Sequence, residues 1–189
     1  MSYVVDYSLN DPARKWAMLA LFIEDRKCQK SMDIIHIQKV IRYFEYLRNT
    51  EELDYSNFKL GAVSYELEQN LTELVESGLI DETDETYVLT SDGEEIAEAM
   101  MKDFDSRECK KLVFSKQQLN DLSSDELMYF MYRVLPSSQE NSTEIARLEK
   151  KRVVIVRSLF LKGRINATIA AKWLGISEKD FLDSLSSHN

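Results

Sequence analysis

Apolar residues recur along this chain mainly at three- and four-residue intervals, a spacing that predicts helices over most of its length. Asp11 followed by Pro12 opens the first helix, with Asp as N-cap and Pro at the first helical position. Trp16, Leu19, Ala20 and Ile23 then share one face to about Arg26. Ser31 or Asp33 caps a second helix, in which Ile37, Val40, Ile41, Phe44 and Leu47 form an unbroken stripe. Gln38, Lys39, Arg42 and Glu45 fall on its other face. After a polar loop at 49–54, a third helix covers 63–77 with Val63, Leu67, Leu71, Leu74 and Val75 turned inward, and Gly78 stands as its left-handed cap. Residues 87–90 have strand composition, and Leu79-Ile80 can pair with them as a small hairpin across an acidic turn. Ser91-Asp92-Gly93 opens a further helix that runs to about Phe104.

The rest of the chain repeats the helical pattern. Leu112, Val113, Leu119 and Leu122 are the apolar contacts of a segment beginning at Ser106. Ser123 or Ser124 starts a short, strongly apolar helix that Pro136 stops. Residues 137–142 are small and polar without periodicity, which makes them the best linker in the chain. A long helix over 143–162 ends at Gly163, and two shorter helices over 165–174 and 177–185 flank Gly175. The expected architecture is mainly α: a winged helix-turn-helix domain with trailing helices over 1–136, then a C-terminal helix-turn-helix segment over 143–189.

Charge divides the chain in a way the apolar pattern does not. The total is −9 over 189 residues, but residues 1–143 hold 15 basic and 28 acidic side chains, against 9 and 5 in 144–189. Between Lys59 and Lys102 there are twelve carboxylates and no lysine or arginine. A reading helix and wing in that stretch would face phosphates with carboxylates, so they lack the term that drives DNA binding. Glu66, Glu73, Glu76, Asp81, Glu82, Asp84 and Glu85 are the candidate contacts there for a basic protein partner. The bland alternative is a solvated face that only keeps the protein in solution. The positive charge gathers beside the C-terminal helix-turn-helix, where Arg157, Lys162, Arg164, Lys172 and Lys179 are the candidate contacts for duplex DNA. The acids Glu178, Asp180 and Asp183 give the last helix poor base-reading chemistry and fit better as N-terminal capping groups.

Catalytic and metal chemistry find little support. Cys28 and Cys109 are isolated, and His36 and His188 complete no Cys/His cluster, so neither a metal nor another cofactor is expected. No Ser/His/Asp set or phosphate-binding glycine loop can be assembled, and no enzyme is expected. The N-terminal residues lack the regions of a secretory signal, and no apolar run approaches the ~20 residues of a membrane span. A cytoplasmic protein without membrane contact is therefore the default. The apolar runs 128–132 and 153–156 exceed what one helix face needs, which points to a homodimer.

Two stretches resemble known prokaryotic families. Asn57-Phe58-Lys59-Leu60-Gly61-Ala62-Val63-Ser64-Tyr65-Glu66-Leu67, then Leu74-Val75-Glu76-Ser77-Gly78-Leu79-Ile80 and Tyr87-Val88-Leu89-Thr90-Ser91-Asp92-Gly93, resemble the winged-helix group of Panacea-type, SocA-like antitoxin domains. The upstream Ile37-Gln38-Lys39-Val40-Ile41-Arg42-Tyr43-Phe44 is similar to a segment of the same group, and the likeness covers roughly residues 34–104. Gly61-Ala62 departs from the Gly-Pro usual in that group. Residues 161–181, with Gly163-Arg164-Ile165, Ala170-Ala171 and Gly175-Ile176-Ser177, are similar to a family of small antitoxin-like proteins. The resemblances imply a regulator or antitoxin that acts by binding. In the leading version the C-terminal segment binds DNA and regulates transcription, while the acidic winged helix holds the dimer or a protein partner. In the alternative, the acidic winged helix binds a basic protein or holds a dimer, with no DNA involved.

Overall fold

The computed structural model describes residues 11–58, 61–139 and 142–186. Residues 1–6, Lys59, Leu60, part of the 137–142 linker and His188 lie outside them. The described chain is mainly helical, with short antiparallel strands. In order it forms α1 (Pro12–Phe22), β1 (Met32–Asp33), α2 (Ile34–Arg48), β2 (Ser56–Phe58), β3 (Gly61–Val63), α3 (Tyr65–Glu76), β4 (Ile80–Thr83) and β5 (Thr86–Leu89). There follow α4 (Ser91–Lys102), α5 (Ser106–Leu119), α6 (Ser124–Val134), a 3-10 turn (Pro136–Gln139), α7 (Ile145–Leu161), α8 (Ala167–Leu174) and α9 (Glu178–Ser186). Among the described residues no helix is long and apolar enough to cross a membrane. Two compact units result: residues 1–56 with 63–121, and residues 57–62 with 122–189.

In the first unit α1 is the central element. Asp11 caps it through the amides of Ala13 and Arg14, and Ala13 and every residue from Trp16 to Leu21 are buried. A helix apolar on all sides must be surrounded, and α2, α3 and α4 all pack on it. Trp16 meets Phe44 edge-on at 5.0 Å and Phe104 at 5.6 Å, and the Arg48 guanidinium lies over the Trp16 ring at 5.0 Å. The sheet runs β1-β5-β4, all antiparallel, with Met32 opposite Tyr87 and Ile80 opposite Leu89.

The polar side of α2 departs from a simple amphipathic split. Gln38, Lys39 and Glu45 are buried rather than solvated. Gln38 exchanges two 2.9 Å hydrogen bonds with the backbone of Ser64, donating to its carbonyl and accepting from its amide. Glu45 accepts the amides of Glu52 and Leu53 and so fixes the 49–54 loop. Gln38 and Glu45 satisfy backbone that has no ladder partner, which is why they tolerate burial. The third helix starts at Tyr65 rather than 63, because Ser64 is its N-cap and 61–63 are extended.

The second unit is held by α6. Its run from Leu127 to Tyr132 is buried, with Trp173 of α8 edge-on to Tyr129 at 6.0 Å and to Phe130 at 6.1 Å. The division expected at the 137–142 linker left this helix with the N-terminal part, whereas its apolar face is completed by α7 and α8. Gly175 takes φ +71°, and Ile176 donates to the Ala171 carbonyl, so the chain turns from α8 into α9 across Gly175, Ile176 and Ser177. Phe181 is fully buried and meets Phe160 edge-on at 5.1 Å.

Candidate functional site

A short polar lock sets the geometry of the acidic stretch. The α3 helix ends with Leu79 N–H donating to the Leu74 carbonyl. Thr90, at the far end of the hairpin, donates its hydroxyl to the Gly78 carbonyl at 2.8 Å and its amide to the Leu79 carbonyl at 3.1 Å. The same hydroxyl accepts the Gly93 amide at 3.1 Å and caps α4. Gly93 itself lies so close that a Cβ there would stand 2.0 Å from the Leu79 carbonyl oxygen. The Gly78-Leu79 and Thr90-Ser91-Asp92-Gly93 pieces are therefore two halves of one joint, which ties the hairpin to the helices on either side.

On this frame α3 and the β4–β5 hairpin carry their acids outward. Glu66, Glu76, Asp81, Glu82, Asp84 and Glu85 are exposed. Asp84 and Glu85 form the hairpin tip at φ +50° and +61°, in a left-handed conformation that Asp tolerates and Glu adopts at a cost. The negative field runs across elements. Burial raises the Tyr87 phenol above its ordinary value, and Glu82 opposite it on β4, Glu68 on α3 and Glu85 at the tip add to the rise. Partial burial likewise raises the Glu66 carboxyl, with Asp11 and Asp54 adding to it. Sequence reasoning missed Glu68 and Tyr87 as parts of this field. The alternation of the hairpin register is the signal that could have placed Tyr87 beside Glu82.

One acid of the set is already engaged. Glu73 pairs with Arg14 of α1 and accepts from Gln69. It serves to hold α3 on α1 rather than to face a partner. Tyr65, at the first turn of the same helix, is 60% exposed and adds an aromatic ring to the acidic face.

The C-terminal cations are used differently. Arg164, ahead of α8, is buried and only 7% exposed. Arg157 donates to the Ser184 carbonyl at 2.6 Å and ties α7 to α9. Lys162 donates to Glu126 at 2.7 Å. Glu126 also accepts the Ser123 amide and the Ser158 hydroxyl, so one carboxylate joins the start of α6 to the end of α7. Burial pushes that carboxyl up, but Lys162, Ser158 and Ser123 outweigh it and hold it below its ordinary range. Arg147 and Lys151 both reach Asp125, whose carboxyl is lowered to about 2 by their hydrogen bonds. Of the five candidate DNA contacts, Lys172 and Lys179 are the exposed ones, and Lys179 stands between the acids Glu178 and Asp180 at the start of α9.

His36 sits beside the apolar stripe of α2. Its ring Nδ1 lies 2.8 Å from Asp33, which also accepts the His36 amide, so the pair closes the start of the helix. The described residues hold no group of three or more His, Cys, Asp or Glu placed to bind a metal ion. Comparison with protein-family models, with curated proteins and with solved structures finds no match to this chain.

Proposed function

We propose that the protein is a non-enzymatic regulator of antitoxin-like type that works by binding a basic protein through the outer face of α3 and the β4–β5 hairpin. In this reading the first unit is a winged helix put to protein recognition. The observation that carries it is the run of six exposed carboxylates on two adjacent elements, Glu66 and Glu76 on α3 and Asp81, Glu82, Asp84 and Glu85 on the hairpin, with no basic residue between Lys59 and Lys102. Like charges at this density repel one another, and a cationic partner relieves that repulsion while steering its own approach. The order α1, β1, α2, α3 and hairpin, with β1 against β5, supports the winged-helix assignment.

The experiment is charge reversal. A variant carrying Glu66→Lys, Glu76→Lys, Glu82→Lys and Glu85→Lys is expected to lose a basic protein that co-purifies with the wild type from its native cells. Retention of the same partner by the folded variant would sink the proposal.

A different reading, duplex DNA binding and transcription regulation by α8 and α9 as a helix-turn-helix, is favoured by the tight turn at Gly175 and the exposure of Lys172 and Lys179. It predicts that Lys172→Ala and Lys179→Ala weaken duplex binding and flatten its salt dependence. A purified protein that shifts no duplex at low salt removes this reading.

The homodimer expected from the apolar runs is proposed through α7. Val154 and Leu161 stand seven residues apart on one face and are 72% and 75% exposed. Val154→Glu with Leu161→Glu should halve the mass measured by light scattering if that stripe holds two copies together.

A further inference from the structure

The first unit is acidic overall, yet one face of α5 has the opposite character. Arg107, Lys110, Lys111 and Phe114 follow one another at i, i+3, i+4 and i+7, which places all four on a single stripe of the helix. Arg107 and Lys110 are exposed and Lys111 is half-buried. Two neighbouring acids are committed elsewhere: Glu108 is held by Arg48 at 2.7 Å, and Asp105 accepts the amides of Arg107 and Glu108 as the N-cap. Asp105 is lowered below its ordinary value, by those amides first and by Arg107 and Lys111 besides, so it offsets part of the positive charge and leaves a surplus.

The stripe ends in aromatic rings. Phe114 is 47% exposed and lies 6.3 Å from Tyr43 of α2, and Tyr43 is stacked on Tyr46 at 6.1 Å with an angle of 16°. Tyr46 is also 47% exposed. An exposed Phe and an exposed Tyr sharing one buried ring form a stepped platform, and three cations stand in line with it. Arg107 and Lys111 are about 6 Å apart along the helix axis, and Phe114 about 4.5 Å beyond. Cations in a row leading to half-exposed rings are the parts that hold a single strand, with phosphates on the cations and unpaired bases stacked on the rings. A duplex keeps its base faces covered and would use only the charges.

We infer that the α2–α5 face, built from Arg107, Lys110, Lys111, Phe114 and Tyr46, binds single-stranded nucleic acid, with a footprint of a few nucleotides. The inference stands apart from the proposed protein-binding role, since it uses other helices and other residues. Failure of one leaves the other in place.

The test is fluorescence anisotropy of the full-length protein with labelled 12-mers of oligouridylate and oligothymidylate, at 50 and 150 mM salt. A duplex of the same length and heparin serve as competitors. Saturable binding of the single strands is expected, with a log–log salt slope of about −2 for three phosphate contacts. Phe114→Ala and Tyr46→Ala should each weaken binding by about fivefold or more. Lys110→Ala with Lys111→Ala should flatten the salt slope. Both ring positions are half-exposed, and matching urea midpoints keep the variants interpretable. A ribose preference would identify RNA as the ligand, and equal binding a shared single-strand chemistry. No binding at 50 mM salt, duplex or heparin competing as well as the single strand, or ring variants that bind like wild type would each overturn the inference.

Discussion

In sequence, the acidic face of the first unit and the basic stretch of the C-terminal unit resemble mirror images, but they hold their charges in opposite ways. On α3 and the hairpin six carboxylates point to solvent, while Glu73 is paired with an arginine. In the C-terminal unit Arg157, Lys162 and Arg164 are drawn inward, and Arg147 and Lys151 converge on Asp125. Surplus charge written in a sequence is therefore not the same as charge available to a partner. Cations with long stems can reach back to caps and carboxylates of neighbouring helices, whereas short carboxylates on a hairpin tip have no such reach. The difference favours the acidic unit as the candidate surface.

The sharpest way to break this contrast is through the glycines that shape each unit. Gly93→Ala would put a Cβ against the Leu79 carbonyl, a backbone atom that cannot step aside. We expect the first unit to lose about 4 kcal/mol or more in urea unfolding. Gly175→Ala meets nothing within 4 Å, and only its φ of +71° opposes the change, so about 1 kcal/mol is expected from the second unit. Equal losses would mean that the Gly78–Thr90–Gly93 joint does not hold the acidic unit together.

The units should also respond to opposite ends of the pH scale. Lys116 of α5 is fully buried and donates to the Ala20 carbonyl at 2.8 Å and the Lys30 carbonyl at 2.6 Å. Burial lowers it from 10.5 to about 7, against the pull of Asp25 and Glu24 and with help from Lys30. Because the folded value lies below the unfolded one, the unfolded chain binds more protons between these limits, and stability rises with pH there. Wild type should gain stability over Lys116→Met from pH 7 to 10.5, by at most about 5 kcal/mol, and the difference should level off below pH 7. For Asp125 the folded value is the lower one. Its contribution is present above pH 3.8 and is lost as pH falls toward 2, so acid should loosen the second unit through the Arg147 and Lys151 contacts. Parallel pH profiles for wild type and Lys116→Met would contradict the account of the buried amine.

Two smaller effects refine the picture. Glu126→Gln should cost the second unit about 2 kcal/mol, because it weakens three hydrogen bonds at once and leaves Lys162 without its carboxylate. Asp84→Asn with Glu85→Gly suits the left-handed tip and should stabilise the hairpin by about 1 kcal/mol. The same change should weaken partner binding, and a tighter complex would show that the tip charges play no part.

Much of the helical frame was legible in the sequence, because Asp11-Pro12, Gly78, Gly163 and Gly175 punctuate it and the Ile37-to-Phe44 stripe has a single period. The burial of Gln38, Glu45 and Lys116 was not legible. Each serves backbone groups distant in sequence or in a loop, such as the Ser64 amide 26 residues away, and periodicity carries no trace of such partners. The acids of the candidate face could be read as a group, but which of them was engaged could not. Glu73 differs from Glu76 only by standing where Arg14 of α1 reaches it. The C-terminal unit hid the most, since nothing local tells that Arg164 is buried while Lys172 is exposed.

The central claim is that the protein acts through the carboxylates of α3 and the hairpin rather than through the cations of α8 and α9. Co-purification from native cells, with Glu66, Glu76, Glu82 and Glu85 reversed in one variant and Lys172 and Lys179 reversed in another, compares the two directly. The account predicts that a basic protein accompanies the wild type and the lysine-reversed variant in stoichiometric amount, and is lost from the acid-reversed one. Loss from the lysine-reversed variant alone, or no difference between the two folded variants, would contradict it.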